Sequence, residues 1–164
     1  MASIYGIDPI YDITYTQRAS EIVPIEYPSD SLMYFLEKKH PTFAYLVKKA
    51  KMAERFASKK ERITLFLPKE EVLSPTMIEQ FNIDTCKNIL RYHFMHGFFP
   101  PAVLQSSPFQ QLYPDFKGQN ILCQTTATSI TLNGDTHVLS FQSVMNACVY
   151  EIDQLMTDAV MGSS

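Results

Sequence analysis

Hydrophobic and polar positions change period along this chain. From Ser29 to Lys51 the apolar residues recur at helical spacing. Leu32, Phe35 and Leu36 form one stripe, with Ser29 or Asp30 placed to cap it. Phe43, Leu46, Val47 and Ala50 form a second stripe behind Pro41, a residue suited to the first turn of a helix. Lys48, Lys49 and Lys51 stand off that stripe. Ile63-Thr64-Leu65-Phe66-Leu67 has too few polar residues for an exposed strand and predicts a central one. Pro68 ends it, because proline cannot donate to a ladder. Residues 75–96 return to helical spacing, with Met77, Ile78, Phe81, Cys86, Ile89, Leu90 and His93 inward, until Phe98-Phe99-Pro100-Pro101 breaks the pattern. Two β-rich stretches, 128–132 and 136–141, then flank Asn133-Gly134-Asp135, and Asn-Gly supplies the positive φ angles of a tight hairpin. Ala147 to Ile152 reads as the last strand. Helices gathered first and strands later predict an α+β fold.

Residues 1–28 belong to neither pattern. Ile4, Tyr5, Ile7, Ile10, Tyr11, Ile13 and Tyr15 are β-formers, and Gly6, Pro9, Pro24 and Pro28 punctuate the segment. Aromatic residues are too many for a solvated tail. The segment is expected to be an extended arm that lies on a protein surface, its own or a neighbour's. Residues 29–158 are then the folded domain and 159–164 a short tail.

The totals narrow the class. A chain of 164 residues, 46% hydrophobic and 19% charged, suits one globular domain with a core of its own. A net charge of −3 argues against general nucleic-acid binding. The charge is uneven: nine basic residues fall between Lys38 and Arg62, whereas the first thirty residues carry five acids and only Arg18. The start of the chain lacks the basic and apolar runs of a signal peptide, and no stretch approaches a membrane span. The expected setting is intracellular or within a virion, or extracellular if a leader was removed. Cys86, Cys123 and Cys148 are odd in number and lie among apolar residues, so they read as buried thiols rather than a disulfide framework.

Three stretches carry a resemblance: Ile63-Thr64-Leu65-Phe66-Leu67-Pro68-Lys69-Glu70-Glu71-Val72-Leu73, the pair Tyr92-His93, and Asn146-Ala147-Cys148-Val149-Tyr150-Glu151-Ile152-Asp153. In this order, with an Asn-Gly hairpin between the last two, they resemble a fasciclin-type domain over roughly Ser29 to Met156. The chain departs from that pattern at Leu67, Lys69 and Ala147. The resemblance implies a β-sandwich or wedge beside a small helical layer. It also implies structural roles for Phe66, Pro68, Tyr92, His93, Asn146 and Ile152. An adhesive role for Tyr92 and His93 is a further implication of the family.

Chemistry has little to work with. His93 and His96 are three apart, a spacing that could align two imidazoles on a helix, but no Cys-x-x-Cys or carboxylate pair completes a metal set. Glu70 and Glu71 suit the start of a short helix better than acid catalysis. There is no Gly-x-Ser-x-Gly and no phosphate-cradling glycine loop. The expectation is a non-enzyme without cofactor, metal or small-molecule substrate.

Aromatic residues are the remaining signal. Phe94, Phe98, Phe99, Phe109, Tyr113 and Phe116 cluster around four prolines, and such loops anchor protein interfaces or cover a helix–sheet junction. The partner-binding residues expected are Phe98 and Phe99 together with Ile4, Tyr5, Ile7, Ile10, Tyr11, Ile13 and Tyr15 of the arm. The expected function is a protein–protein interaction module, a structural component of a large assembly such as a minor capsid or scaffold protein of a large virus. Cell-surface adhesion of fasciclin type is the alternative, and ligand binding or catalysis ranks last.

Overall fold

A computed structural model describes residues 27–156. The first helix, α1 (Leu32–Lys39), starts at Ser31, whose Oγ accepts the Tyr34 N–H at 3.1 Å. The cap is therefore not Ser29 or Asp30. Those residues lie in a turn that Ser31 closes, donating from its N–H and its Oγ to the Pro28 carbonyl at 3.0 and 2.7 Å. Helix α2 (Pro41–Lys49) has its proline in the first turn, as expected. It buries Phe43, Leu46 and Val47. A short helix α3 (Ala53–Ala57) follows.

Strand β1 (Ile63–Pro68) is buried along its whole length. It pairs on both edges, antiparallel with β2 (Phe94–His96) and parallel with β7 (Ala147–Ile152). After it come a 3-10 turn at Glu70–Val72 and the helices α4 (Pro75–Gln80) and α5 (Ile83–Tyr92).

The single helical run expected over 75–96 is divided. Phe81 leaves helical geometry at ψ 140°, and Asn82 opens a new helix by accepting the Thr85 N–H at 2.7 Å. The helix ends at Tyr92, and residues 94–96 become strand. The competing force is tertiary: β1 offers a free edge, and pairing with it buries Phe94 and Met95 on opposite faces.

The remaining elements are α6 (Pro101–Leu104), β3 (Phe109–Leu112), β4 (Ile121–Thr125), β5 (Ile130–Leu132) and β6 (Thr136–Val144). Strand order is β2-β1-β7-β6-β5-β4-β3. The β5–β6 hairpin turns on Asn133 and Gly134 at φ 55° and 81°, as the Asn-Gly pair requires.

Period-two alternation along β1 and β7 splits the interior in two. Ile63, Leu65, Leu67, Ala147 and Val149 face α1, α2 and α5 in one core cluster. Phe66, Cys148, Tyr150 and Ile152 face Leu112, Ile121, Cys123, Ile130 and Leu132 in a second. The result is the expected α+β arrangement: helices on one face of a central sheet, and its curled continuation on the other.

Candidate functional site

The Tyr92-His93 pair sits where α5 hands over to β2. His93 is fully buried. Its Nδ1–H donates to the Ile89 carbonyl at 2.7 Å, and its Nε2 accepts the Met156 N–H at 2.9 Å. Both ring nitrogens are thus engaged by backbone, which requires the neutral, Nδ1-protonated tautomer. Burial drives the imidazole pKa down to about 4, against a smaller upward pull from the Ile89 carbonyl. Tyr92 turns the other way. Its hydroxyl accepts from Asn133 Nδ2 at 2.9 Å and reaches the Asn120 carbonyl at 3.4 Å. One helix end therefore ties down the β5–β6 turn and the exit of the last strand.

His96 does not join His93, because the chain has already become strand. The His96 side chain is exposed and belongs to a charged cluster. Asp115 takes His96 Nε2 at 2.9 Å and Arg91 Nε at 3.2 Å, with Arg55 Nη1 at 3.6 Å. Burial pushes the Asp115 carboxyl up, but the His96 hydrogen bond and the charges of Arg55 and Arg91 outweigh it, so the group lies below its usual range. The cluster fastens the loop after β3 to α5 and α3. Among the described residues no group of three or more His, Cys, Asp or Glu is arranged to hold a metal ion.

The three cysteines are buried and unpaired, as expected. Burial raises Cys86 and Cys148 and takes Cys123 up to about 11, so these thiols stay protonated at neutral pH. A polar cleft of about 190 Å³ beside Tyr92 is lined by Asn133, Asp135, Thr136, Gln154, Leu155 and Met156. It holds neither a cysteine nor a histidine side chain.

The family-motif residues occupy structural positions. Phe66 packs against Tyr150 with ring centroids 5.7 Å apart. Pro68 ends β1 opposite Ile152, whose carbonyl accepts the Lys69 N–H at 3.0 Å. Asn146, in the β6–β7 turn, donates from Nδ2 to the Lys59 carbonyl.

Phe98 and Phe99 are half-buried and turned onto the second core cluster. Thr64 holds this loop from inside the sheet: its hydroxyl donates to the Gly97 carbonyl at 2.9 Å and accepts the Phe99 N–H at 3.0 Å. Gly97 has φ 114°, and a Cβ there would lie 2.5 Å from the Phe99 ring. These two rings therefore cover the junction of the molecule's own core. Of the same aromatic group, Phe109 and Tyr113 are the exposed members, at 62% and 68%. Sequence clustering found the group but could not separate its members, because that depends on which ring the sheet turns outward. The arm residues Ile4 to Tyr15 lie outside the described residues.

The outward face of the β3–β4 pair is built by register. Phe109 lies opposite Gln124 and Gln111 opposite Leu122, so exposed Phe109 and Leu122 share one face with two glutamines. On the basic stretch, Lys48 pairs with Glu37 and Lys59 with Asp30, while Lys49 donates to the carbonyls of Ile78 and Glu79 at the end of α4. Much of that charge is spent within the domain.

Fold and site together define an α+β scaffold whose distinctive polar groups hold the fold together. The fasciclin domain model matches residues 38–158, and the chain belongs to the fasciclin domain family. The fold is similar to a solved FAS1 domain pair from the insect cell adhesion molecule Fasciclin I, at 18% identity and a TM-score of 0.61. That match covers 79% of this chain and 51% of the other, so this chain spans about half the length of the pair. No curated protein matches the sequence.

Proposed function

We propose that this chain is a non-enzymatic protein–protein interaction module, working as a structural subunit of a larger protein assembly. One observation carries the reading: exposed Phe109 and Leu122 stand on one sheet face, with exposed Tyr113 just beyond the strand. Aromatic anchors rimmed by polar groups are the usual composition of a protein interface. Membership of the fasciclin family supports the coarse reading of an interaction or adhesion module. Surface adhesion is the second reading, favoured by the likeness of the fold to that of Fasciclin I, a cell adhesion molecule. A capsid or virion setting draws no support from the fold or the family.

The test is a Phe109→Asp/Tyr113→Asp double variant of the full chain, returned to its native source. Thermal unfolding close to the parent would show that the domain is intact. The parent should migrate in complexes well above the mass of one chain, and the variant should shift toward that mass. Unchanged migration would refute this surface as the docking face.

A further inference from the structure

Strand β3 ends the sheet: among the described residues no strand lies beyond it. Its hydrogen-bonding phase follows from its neighbours. The Pro108 carbonyl accepts the Thr125 N–H at 3.0 Å, and the Leu122 carbonyl accepts the Asn133 N–H at 2.8 Å on the other side of β4. Bonding alternates along an antiparallel pair, so Ile121, Cys123 and Thr125 serve β3, while Leu122 and Gln124 serve β5. On β3, Gln110 and Leu112 therefore bond to β4. Phe109 and Gln111 turn their N–H and C=O groups to the open edge, and Tyr113 continues that phase. Pro108 and Pro114, which lack the N–H, fall on the opposite phase. The Phe109 carbonyl takes the Ser107 hydroxyl at 2.9 Å and keeps a second lone pair. Beyond Pro114 the edge closes, where the Asp115 N–H donates to the Phe94 carbonyl of β2 at 2.9 Å.

We infer, resting on the interaction role proposed above, that this edge pairs antiparallel with the same edge of a second copy of the chain, about a two-fold axis at Gln111. Its sequence fits a copy better than an unrelated peptide. The three edge residues, Phe109, Gln111 and Tyr113, are all exposed and read aromatic, glutamine, aromatic in both directions. An antiparallel copy centred on Gln111 sets Phe109 opposite Tyr113 of the partner subunit, and Tyr113 opposite Phe109 of the partner subunit. Each aromatic residue thus gains an aromatic cross-strand neighbour. Each of the three opposed positions exchanges two backbone hydrogen bonds. At the axis, Asn120 Nδ2 already donates to Gln111 Oε1 at 2.9 Å, so the Gln111 amide keeps its Nε2 hydrogens for its counterpart.

Charge and area agree with that pairing. Ser106 to Pro114 carries no charged residue, so identical edges meet without like-charge repulsion. The edge also lacks the lysine or bulge that would guard it against another strand. At 62% and 68% exposure, the four rings of two copies present on the order of 500 Å². With the strand edges this stays below the roughly 1,200 Å² of a standard interface, so the pairing is weak and favoured where chains are concentrated or held in an assembly.

The experiment uses the purified full chain in two measurements. In sedimentation velocity between about 10 μM and 1 mM, the parent should shift from monomer toward dimer. Gln111→Pro removes only an N–H on the open edge and should weaken association about tenfold or more, whereas Gln111→Ala, which keeps it, should not. Thermal unfolding close to the parent would show that both variants remain folded. In the second measurement, mild oxidation should join Gln111→Cys chains into covalent dimers, because the axis brings that position against itself at about 5.5 Å between Cα atoms. Phe109→Cys or Tyr113→Cys alone should not cross-link, since each lies about 14 Å from its own counterpart. The native cysteines are buried and add no background. A chain that stays monomeric at 1 mM would overturn the self-pairing, and the docking face itself would still stand or fall by its own test in native complexes. Association unaffected by Gln111→Pro, or equal cross-linking at all three positions, would overturn it as well.

Discussion

The ring of His93 holds the backbone of Met156: Nε2 accepts that residue's N–H at 2.9 Å, with both groups buried. Because Nδ1 is committed to Ile89, protonating Nε2 would set two buried donors against each other. The family's Tyr-His pair thus works here as a clasp between a helix end and the end of the last strand.

This clasp makes stability depend on pH. The folded imidazole has its pKa lowered from 6.5 to about 4, so between those values the unfolded chain binds the extra proton. Stability is full above pH 6.5, falls as pH drops toward 4, and levels off below. The expected loss is roughly 3 kcal/mol at most, at 1.36 kcal/mol per pH unit. His40, lowered mainly by burial, adds in the same direction. Urea unfolding at pH 7, 5.5 and 4 measures this, with His93→Gln as the control. The variant should be less stable at pH 7 and show a flatter profile. A parent equally stable at all three values would remove the clasp.

Tyr92 and Asn133 form the second tie. Tyr92→Phe removes the hydroxyl that accepts from Asn133 and should cost about 1 kcal/mol in thermal or urea unfolding. Asn133→Ala should cost more, because Asn133 has φ 55° and its Oδ1 also accepts the Leu122 N–H. Asn133→Gly keeps the turn conformation and should recover part of that difference. Equal losses for the two replacements would show that the positive φ contributes nothing.

Phe66 is fully buried and belongs to the second core cluster. Phe66→Ala should destabilise the protein by about 3–5 kcal/mol, the cost of a large cavity. A loss under about 1 kcal/mol in chemical unfolding would contradict its place in the core.

The thiols offer a probe of opening. Burial raises Cys86, Cys123 and Cys148 above the usual thiol range. Ellman's reagent at pH 8 should therefore label none of them in seconds under native conditions and all of them in denaturant. Rapid native labelling of any one would show that its part of the core opens readily.

Local chemistry determined a large part of this molecule in advance. The run Ile63–Leu67 had to be buried on both faces, because no alternation of polar residues gave it a solvent side. Asn133-Gly134 had to turn, because few other pairs adopt two positive φ angles. Cysteines among apolar neighbours had to lie inside. The three motifs, in order, were enough to place the chain in the fasciclin family. Tertiary structure decided what periodicity leaves open. It ended the helix at Tyr92, because the free edge of β1 offered residues 94–96 better-satisfied backbone than another helical turn. It chose Phe109 and Tyr113 over Phe98 and Phe99 as the exposed aromatics, because Thr64 pulls the latter loop against the sheet. It also left most of β6 paired on one edge alone among the described residues, through the brevity of β5 rather than through any property of β6. Burial and turn chemistry depend on neighbours in sequence, whereas edges and faces depend on which distant strands arrive to pair.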